Sequence, residues 1–310
     1  MARQVLAALV AAFVALAAGC DRSGERTVRP RRIVLVTIDT WRADALAKMP
    51  ATSAFAARGL CFDQAYAATS TTQPSHASLL TGLHPWQHGV TRNGDVLAEV
   101  HETVAERLQA QGFSTAAVVA SFPLGRRFGF AQGFDPFRDE LFTPYAQRWE
   151  GEDVEGGRFY TLGETITDEA LALLASMPGE RQFLWVHYFD PHDPYGDAVA
   201  AALAGGSGAE DVLPIAALLQ AAASGPEDEA RALVERARGL YERDLGALDR
   251  ALARLFARLD ADAARFETHV IVTADHGESF GEQGCLGHGK RLVPEQLRVP
   301  LVLVSPGLAP

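Results

Sequence analysis

Three times along this chain a mostly apolar run ends on an aspartate. Residues 33–38 lead into Asp39, residues 183–189 into Asp190, and residues 269–274 into Asp275, with His276 next. Short runs rich in Ile, Val, Leu and Phe, without regular polar alternation, fit strands covered on both faces, as in parallel sheets under helices. Further strands are predicted over residues 60–66, 114–120 and 301–304. Helical signals fall between them: 51–58 closed by Gly59, a helix opened by Pro74, 102–111 closed by Gly112, and 165–176. Residues 229–259 carry apolar positions at 3.6-residue spacing, a long amphipathic helix in which Gly239 and Gly246 mark places for a break. Residues 122–157 lack periodicity and read as loop over the site, and 196–226 as short surface helices. The pattern predicts an α/β chain with a mostly parallel central sheet and helices on both faces.

The 310 residues are enough for one large domain of this kind. A net charge of −11 and the lack of a basic stripe argue against nucleic acid as a partner. At the N-terminus Arg3 precedes an unbroken apolar stretch, residues 5–18, shorter than the roughly 20 residues of a spanning helix. It closes with Leu16-Ala17-Ala18-Gly19-Cys20, which resembles a bacterial lipoprotein signal, with Ala17 where Leu is more usual. The resemblance implies cleavage before Cys20, lipid on its thiol and residence on the periplasmic face of a membrane. An ordinary secretory signal that contains a cysteine is the alternative. Residues 1–19 are thus read as signal peptide, 20–31 as a polar tether and 32–310 as the folded domain. Cys61 is expected in the core and Cys285 in a Gly-rich loop near the site; no Cys-x-x-Cys spacing exists.

In open α/β sheets the working site lies beyond the carboxyl ends of the strands, so three aspartates at such ends can converge. Like charges repel unless a cation or protons sit between them, which makes a metal site the first hypothesis. Thr72-Gln73-Pro74-Ser75-His76 opens a helix. A hydroxyl there faces backbone N–H groups and the positive end of the helix dipole, where a phosphate or sulfate oxygen binds. A plain N-cap is the alternative for Thr72. Asp275 and His276, with Asp39 and the Thr72 oxygen, make a set of three oxygens and one nitrogen that suits zinc or manganese. In Gly287-His288-Gly289-Lys290, His288 is a candidate metal ligand and Lys290 a counter-charge for an anionic substrate. In Asp190-Pro191-His192, the imidazole is a candidate donor to a leaving group. Asp190, His192 and His288 together are a candidate second metal set. Arg42 and Asp44 are expected to pair, and His84 and His88 to shape a turn.

These segments together resemble the sulfatases of the alkaline-phosphatase superfamily, from about Arg32 to Pro310. Residues 33–46, 72–90, 183–195, 274–290 and Leu297-Arg298-Val299-Pro300-Leu301 carry the resemblance. It implies a metal on Asp39, Asp275 and His276, Thr72 in the nucleophile position and a covalent intermediate on that residue. Catalytic support falls to His192, His288 and Lys290. Four positions depart from the family pattern. The nucleophile is Thr72, where sulfatases carry a Cys or Ser that becomes formylglycine. His76 replaces an arginine, Thr40 the second of two paired aspartates, and His276 an asparagine. Oxidised threonine is a ketone, so the aldehyde-hydrate route is closed. The changes favour zinc or manganese over calcium, as one ion or two. The resemblance implies a metal-dependent ester hydrolase that prefers phosphate to sulfate. A phosphoryl-headgroup transferase on lipid or glycan and a non-catalytic truncated lipoprotein are the alternatives. Family members continue beyond Ser305-Pro306-Gly307 into a smaller C-terminal subdomain, so a C-terminally incomplete domain with a covering partner chain is expected.

Overall fold

A computed structural model describes residues 29–141, 143–144, 148–149, 152–153, 158–196 and 212–308. The expected signal peptide, Cys20 and most of the tether lie outside them. In chain order the main elements are β1 (Arg31–Ile38), α1 (Pro50–Ala56), β2 (Leu60–Cys61), α2 (Thr72–Thr81), α3 (Val104–Ala110), β3 (Ser114–Val118), β4 (Phe137–Arg138), α4 (Gly163–Ser176), β5 (Arg181–Tyr188), α5 (Ile215–Ser224), α6 (Glu227–Ala261), β6 (Glu267–Ala274) and β7 (Leu301–Val304). The sheet has seven strands in the order β2-β7-β6-β1-β5-β3-β4. Pairing is parallel from β6 through β4, while β7 runs antiparallel to both β6 and β2.

The three apolar runs are the three central strands. In β1, Ile33, Val34, Leu35, Val36 and Ile38 are all buried, as an all-apolar strand requires when both faces are covered. Each such side chain stabilises the fold by roughly 1.5–3 kcal/mol relative to its exposed state. Strand alternation shows what covers each face. Thr37 and Trp185 point to the side of α2, where both contact His76. Tyr188 points to the other side and bonds Thr167 of α4 through its hydroxyl, at 2.8 Å.

α6 runs unbroken for 35 residues through Gly239 and Gly246. A Cβ at either glycine would meet nothing within 4 Å, so neither glycine answers a crowded neighbour. A glycine in a helix costs about 1 kcal/mol against alanine. The buried stripe of α6, from Ala237 to Leu259, outweighs that and prevents the expected break. Asp249 of α6 accepts the N–H groups of Ala51 and Thr52, each at 2.8 Å. A remote carboxylate thus caps α1, whose Pro50 has no N–H to satisfy. At the sheet edge, β2 is only two residues long rather than spanning 60–66, with one further bridge between Tyr66 and Arg298. Cys61, expected in the core, is exposed on that edge; Cys285 is buried, and both are free thiols.

Candidate active site

Register decides which strand ends meet. Ile38 pairs with Ala274 on one side and Tyr188 on the other. Asp39, Asp275 and Phe189 are therefore level, and Asp190 lies one residue further along. A step of one residue turns a side chain to the opposite face. β5 accordingly contributes His187, level with Thr37, to the face on which Asp39 lies. Asp190 goes to the other face, where its Oδ1 accepts the Gly163 N–H at 2.8 Å and caps α4.

Asp39, Asp275 and His276 are buried, and each offers one ligand atom within 4.8 Å of the others. His276 Nε2 lies 3.7 Å from Asp39 Oδ1 and 3.4 Å from Asp275 Oδ2. Both Asp39 oxygens and Asp275 Oδ2 lack a hydrogen-bond partner, an expensive state for buried carboxylates. His276 Nδ1–H donates to the Gly277 carbonyl at 3.0 Å. Its Nε2 lone pair therefore faces carboxylate oxygens, an arrangement that is repulsive unless a cation or a proton sits between them. Two carboxylates and an imidazole with orphaned lone pairs fit a divalent ion.

Electrostatics follow from this crowding. Burial alone would raise the Asp39 carboxyl, yet His187, His192 and His276 hold it well below the usual carboxylate range. Asp275 moves the other way, raised by burial and by the Asp39 charge. His276 is pushed down to about 4, first by burial and then by His288.

Thr72 is the first residue of α2, with Thr71 as its N-cap. Its hydroxyl does not cap the helix but lies 3.4 Å from His276 Nε2. The expected anion site on the helix amides is mostly taken. Gln73 N–H donates to Asn93 Oδ1 at 2.9 Å, Pro74 has none, and Ser75 N–H donates to the Thr71 carbonyl at 3.1 Å. Beyond Thr72 itself, the first turn has no amide left for a substrate.

The Sulfatase family model matches residues 31–310. The chain belongs to the sulfatase family. This sulfatase-family chain is 27% identical over 297 residues to the ulvan-active sulfatase of Formosa agariphila, covering 89% of this chain and 56% of that protein. It is 26% identical over 356 residues to the multifunctional alkaline phosphatase superfamily protein PehA of Trinickia caryophylli, covering 89% and 68%. Its fold resembles the phosphonate monoester hydrolase of Agrobacterium radiobacter, with TM-score 0.65, 20% identity and coverage of 90% of this chain and 68% of that chain. It also resembles the soluble domain of lipooligosaccharide phosphoethanolamine transferase A from Neisseria meningitidis, with TM-score 0.61, 16% identity and coverage of 91% and 78%. The chain therefore spans little more than half the length of the ulvan-active relative.

Around the cluster this sulfatase-family chain assembles further polar groups. His288 stacks on His276 with centroids 4.4 Å apart, and His192 stands edge-on to His288 at 5.0 Å. His288 Nδ1 donates to the buried carboxylate of Glu278 at 3.1 Å, which also takes the Tyr195 hydroxyl at 3.0 Å. Burial lowers the His288 pKa, but the Glu278 charge outweighs it and the net shift is upward. His192 Nδ1 donates to the Asp193 carbonyl at 2.7 Å. His192 and His288 are thus neighbours, but Asp190 is spent on α4, and the candidate second metal set is not gathered at one point. Lys290 is exposed. Its loop rests on the segment that leads into α2, where the Ser70 hydroxyl donates to the Arg291 carbonyl at 3.1 Å.

The residues in the departing positions are tightly held. Thr40 has φ +56°, an uncommon conformation for a β-branched residue. The Tyr241 hydroxyl fixes it, donating to the Thr40 carbonyl and accepting the Arg42 N–H, each at 3.0 Å. Thr40 N–H in turn reaches Asp275 Oδ1 at 3.3 Å. Arg42 pairs with Asp44 at 2.7 Å, as expected, and also with Glu282 at 2.9 Å. His88 accepts the Val90 N–H at 3.1 Å and so shapes its turn. Sequence reading did not single out Glu278 or His187 as functional, and it treated His76 only as a replaced arginine. The one signal for Glu278 was its place two residues after His276.

Proposed function

We propose that this chain is a metal-dependent ester hydrolase that favours phosphate over sulfate esters and works through a covalent intermediate on Thr72. One observation carries the reading: a buried threonine hydroxyl 3.4 Å from His276 Nε2, beside two carboxylates with orphaned oxygens. A divalent cation held by Asp39, Asp275, His276 and Thr72 Oγ1 would supply the positive charge that polarises the ester and favours the alkoxide. Zinc or manganese is favoured over calcium, because His276 brings a nitrogen and Thr40 removes a carboxylate. Thr72 Oγ1, its proton released to solvent water, attacks phosphorus in line, and its bond to phosphorus forms as the bond to the departing oxygen breaks. His288 or His192 gives that oxygen its proton, and Lys290 meets the negative charge of the substrate. Water then cleaves the phosphothreonine and regenerates the hydroxyl. A sulfated threonine has no second hydroxyl through which to expel sulfate, which is why phosphate is preferred.

The test is turnover of an aryl phosphate, a phosphodiester and an aryl sulfate by metal-stripped protein with added zinc, manganese or calcium. Phosphate-ester turnover with zinc or manganese is expected. Thr72→Ala should lower kcat at least about a thousandfold, and a phosphorylated Thr72 should be trapped on acid quench. Turnover of the sulfate alone, kept by Thr72→Ala, would refute the mechanism. Capture of the phosphoryl group by an added alcohol in place of water would favour the transferase reading. We also propose that lipid on Cys20 holds the enzyme at the periplasmic face of a membrane. Cys20→Ser should then release it to the soluble fraction.

A further inference from the structure

We infer that His76 is a positioning residue that fixes the Thr72 main chain beside the Asp275 carboxylate, through a hydrogen-bond relay that starts inside the sheet at Trp185. This rests on the reading of Thr72 as nucleophile and Asp275 as ligand.

His76 lies one turn into α2, four residues after Thr72, and is fully buried. Its Nδ1 is 2.9 Å from the Thr72 carbonyl oxygen and 3.4 Å from Asp275 Oδ2. Its Nε2 is 3.2 Å from Thr37 Oγ1, and that oxygen is 3.0 Å from Trp185 Nε1. The proton positions follow from donor chemistry. An indole N–H only donates, so Thr37 Oγ1 accepts from Trp185. The Thr37 O–H is then the group left to serve His76 Nε2, which accepts it. The His76 proton is therefore on Nδ1 and is donated to the Thr72 carbonyl, with Asp275 Oδ2 3.4 Å away beside it but not hydrogen-bonded to it. No other arrangement satisfies all four groups, and each is buried away from water.

His187 is held differently. Its Nδ1 accepts the Ala120 N–H at 3.2 Å, which puts its proton on Nε2, 3.7 Å from Asp39 Oδ2. The ring of His76 stands edge-on to His187 with centroids 5.0 Å apart. With Nδ1 donating to the Thr72 carbonyl and Nε2 accepting from Thr37, the ring is a neutral donor. A neutral donor can hold the Thr72 main chain 3.4 Å from Asp275 Oδ2 without adding a positive charge that would compete with a bound cation. It also gives the Thr72 carbonyl a second donor besides the helix, at the first turn, where helices fray. Three elements are joined in this way: β1 and β5 through Thr37 and Trp185, and α2 through His76.

Three variants test the inference, read by kcat and KM on an aryl phosphate, by zinc titration of the metal-free protein and by the thermal midpoint. His76→Asn keeps an N–H donor near the place of Nδ1. His76→Leu fills the space without a donor. Thr37→Val leaves His76 in place and removes the hydroxyl that fixes its tautomer. His76→Leu should lower kcat about a hundredfold with KM within about threefold, and weaken zinc binding about tenfold. His76→Asn should restore both to within about fivefold of wild type, with Thr37→Val between the two. If His76→Asn is as impaired as His76→Leu, the donor to Thr72 beside Asp275 is not what matters and the inference fails. If His76→Leu does not fold, Thr37→Val decides, because kcat and zinc affinity within twofold of wild type would overturn the relay. A wild type that binds zinc but turns over no ester refutes the hydrolase reading alone, and the zinc titrations still judge His76. A wild type that binds no zinc overturns both.

Discussion

Three strands end in aspartate, and two of those ends differ in kind from the third. At β1 and β6, Asp39 and Asp275 face each other and His276; both Asp39 oxygens and Asp275 Oδ2 have no hydrogen-bond partner, while Asp275 Oδ1 accepts the His276 N–H at 2.8 Å. At β5, Asp190 stands on the opposite face, where its Oδ1 accepts the N–H of Gly163 and anchors α4. The chain pattern is the same in all three places. What separates them is one residue of register, because the apolar run of β5 extends through Phe189 before its aspartate arrives. Orphaned oxygens of two carboxylates gathered with an imidazole mark a place where the fold accepts an energetic cost that something outside the chain must relieve. A lone carboxylate satisfied by a helix N–H on the opposite face, as Asp190 is through Oδ1, marks a place where the fold has used the charge for itself. Burial alone does not tell the two apart, since Asp39, Asp275 and Asp190 are all buried.

The sharpest way to break this contrast is to remove each charge without changing its shape. Asp39→Asn and Asp275→Asn should each lower kcat/KM by about a thousandfold, close to 4 kcal/mol of transition-state stabilisation, and should reduce zinc affinity strongly. Asp190→Asn should leave zinc affinity within about threefold of wild type. Isothermal titration of the metal-free proteins, run beside ester turnover, measures both effects. Loss of zinc binding in Asp190→Asn equal to that in Asp39→Asn would erase the distinction.

A smaller effect is expected in the pH dependence of stability. His76 titrates at about 3 and His276 at about 4 in the folded protein, each lowered first by burial. In the unfolded chain both titrate near 6.5. Between those values the unfolded state binds more protons than the folded one, so stability is full above about 6.5 and falls as pH drops toward 4. Asp275 contributes the opposite slope. Its raised pKa means that the metal-free fold keeps a proton the unfolded chain has lost, and stability from this group declines as pH rises through the folded value. Zinc must displace that proton, so its stabilisation should be greater at pH 8 than at pH 5.5. At a hundredfold excess over Kd it is about 2.7 kcal/mol, a shift of several degrees in Tm. Equal zinc shifts in Tm at both pH values would count against Asp39, Asp275 and His276 as the binding group.

The sequence made the central strands legible because uninterrupted apolar runs have few alternatives, and it made the grouping of Asp39, Thr72, Asp275 and His276 legible because motifs at strand ends share one edge. It could not supply register. Whether β5 presents His187 or Asp190 to that edge depends on its pairing with β1, and a local pattern is blind to this. The roles of His76 and His187 were hidden for a related reason. His187 lies in an apolar run and reads as core, His76 reads only as a replaced arginine, and what each does here depends on which ring nitrogen carries the proton, set by the Ala120 amide and by Thr37 from distant segments. The free amides expected at the start of α2 were lost to Asn93, a partner twenty residues away in sequence. The unbroken α6 shows tertiary packing overriding the low helix propensity of two glycines.

The smallest predicted effect probes the satisfied end of the comparison. A Cβ at Gly163 would lie 2.7 and 2.8 Å from the two Asp190 oxygens, closer than real contacts permit. Gly163→Ala must therefore displace the carboxylate or the first turn of α4, and the bond between them is lost. A destabilisation of about 1–2 kcal/mol is expected, since loss of a helix cap typically costs about 1 kcal/mol and the clash adds to it. Asp190→Ala removes the cap but also the obstacle, so the double variant should be more stable than the two single losses would sum to. Urea denaturation of the four proteins reads this coupling directly. Zinc affinity should stay constant across the set, because α4 and the metal cluster lie on opposite faces of the sheet. If zinc affinity instead fell in step with stability, Asp190 would belong to the same functional unit as Asp39, and register would not be what separates them.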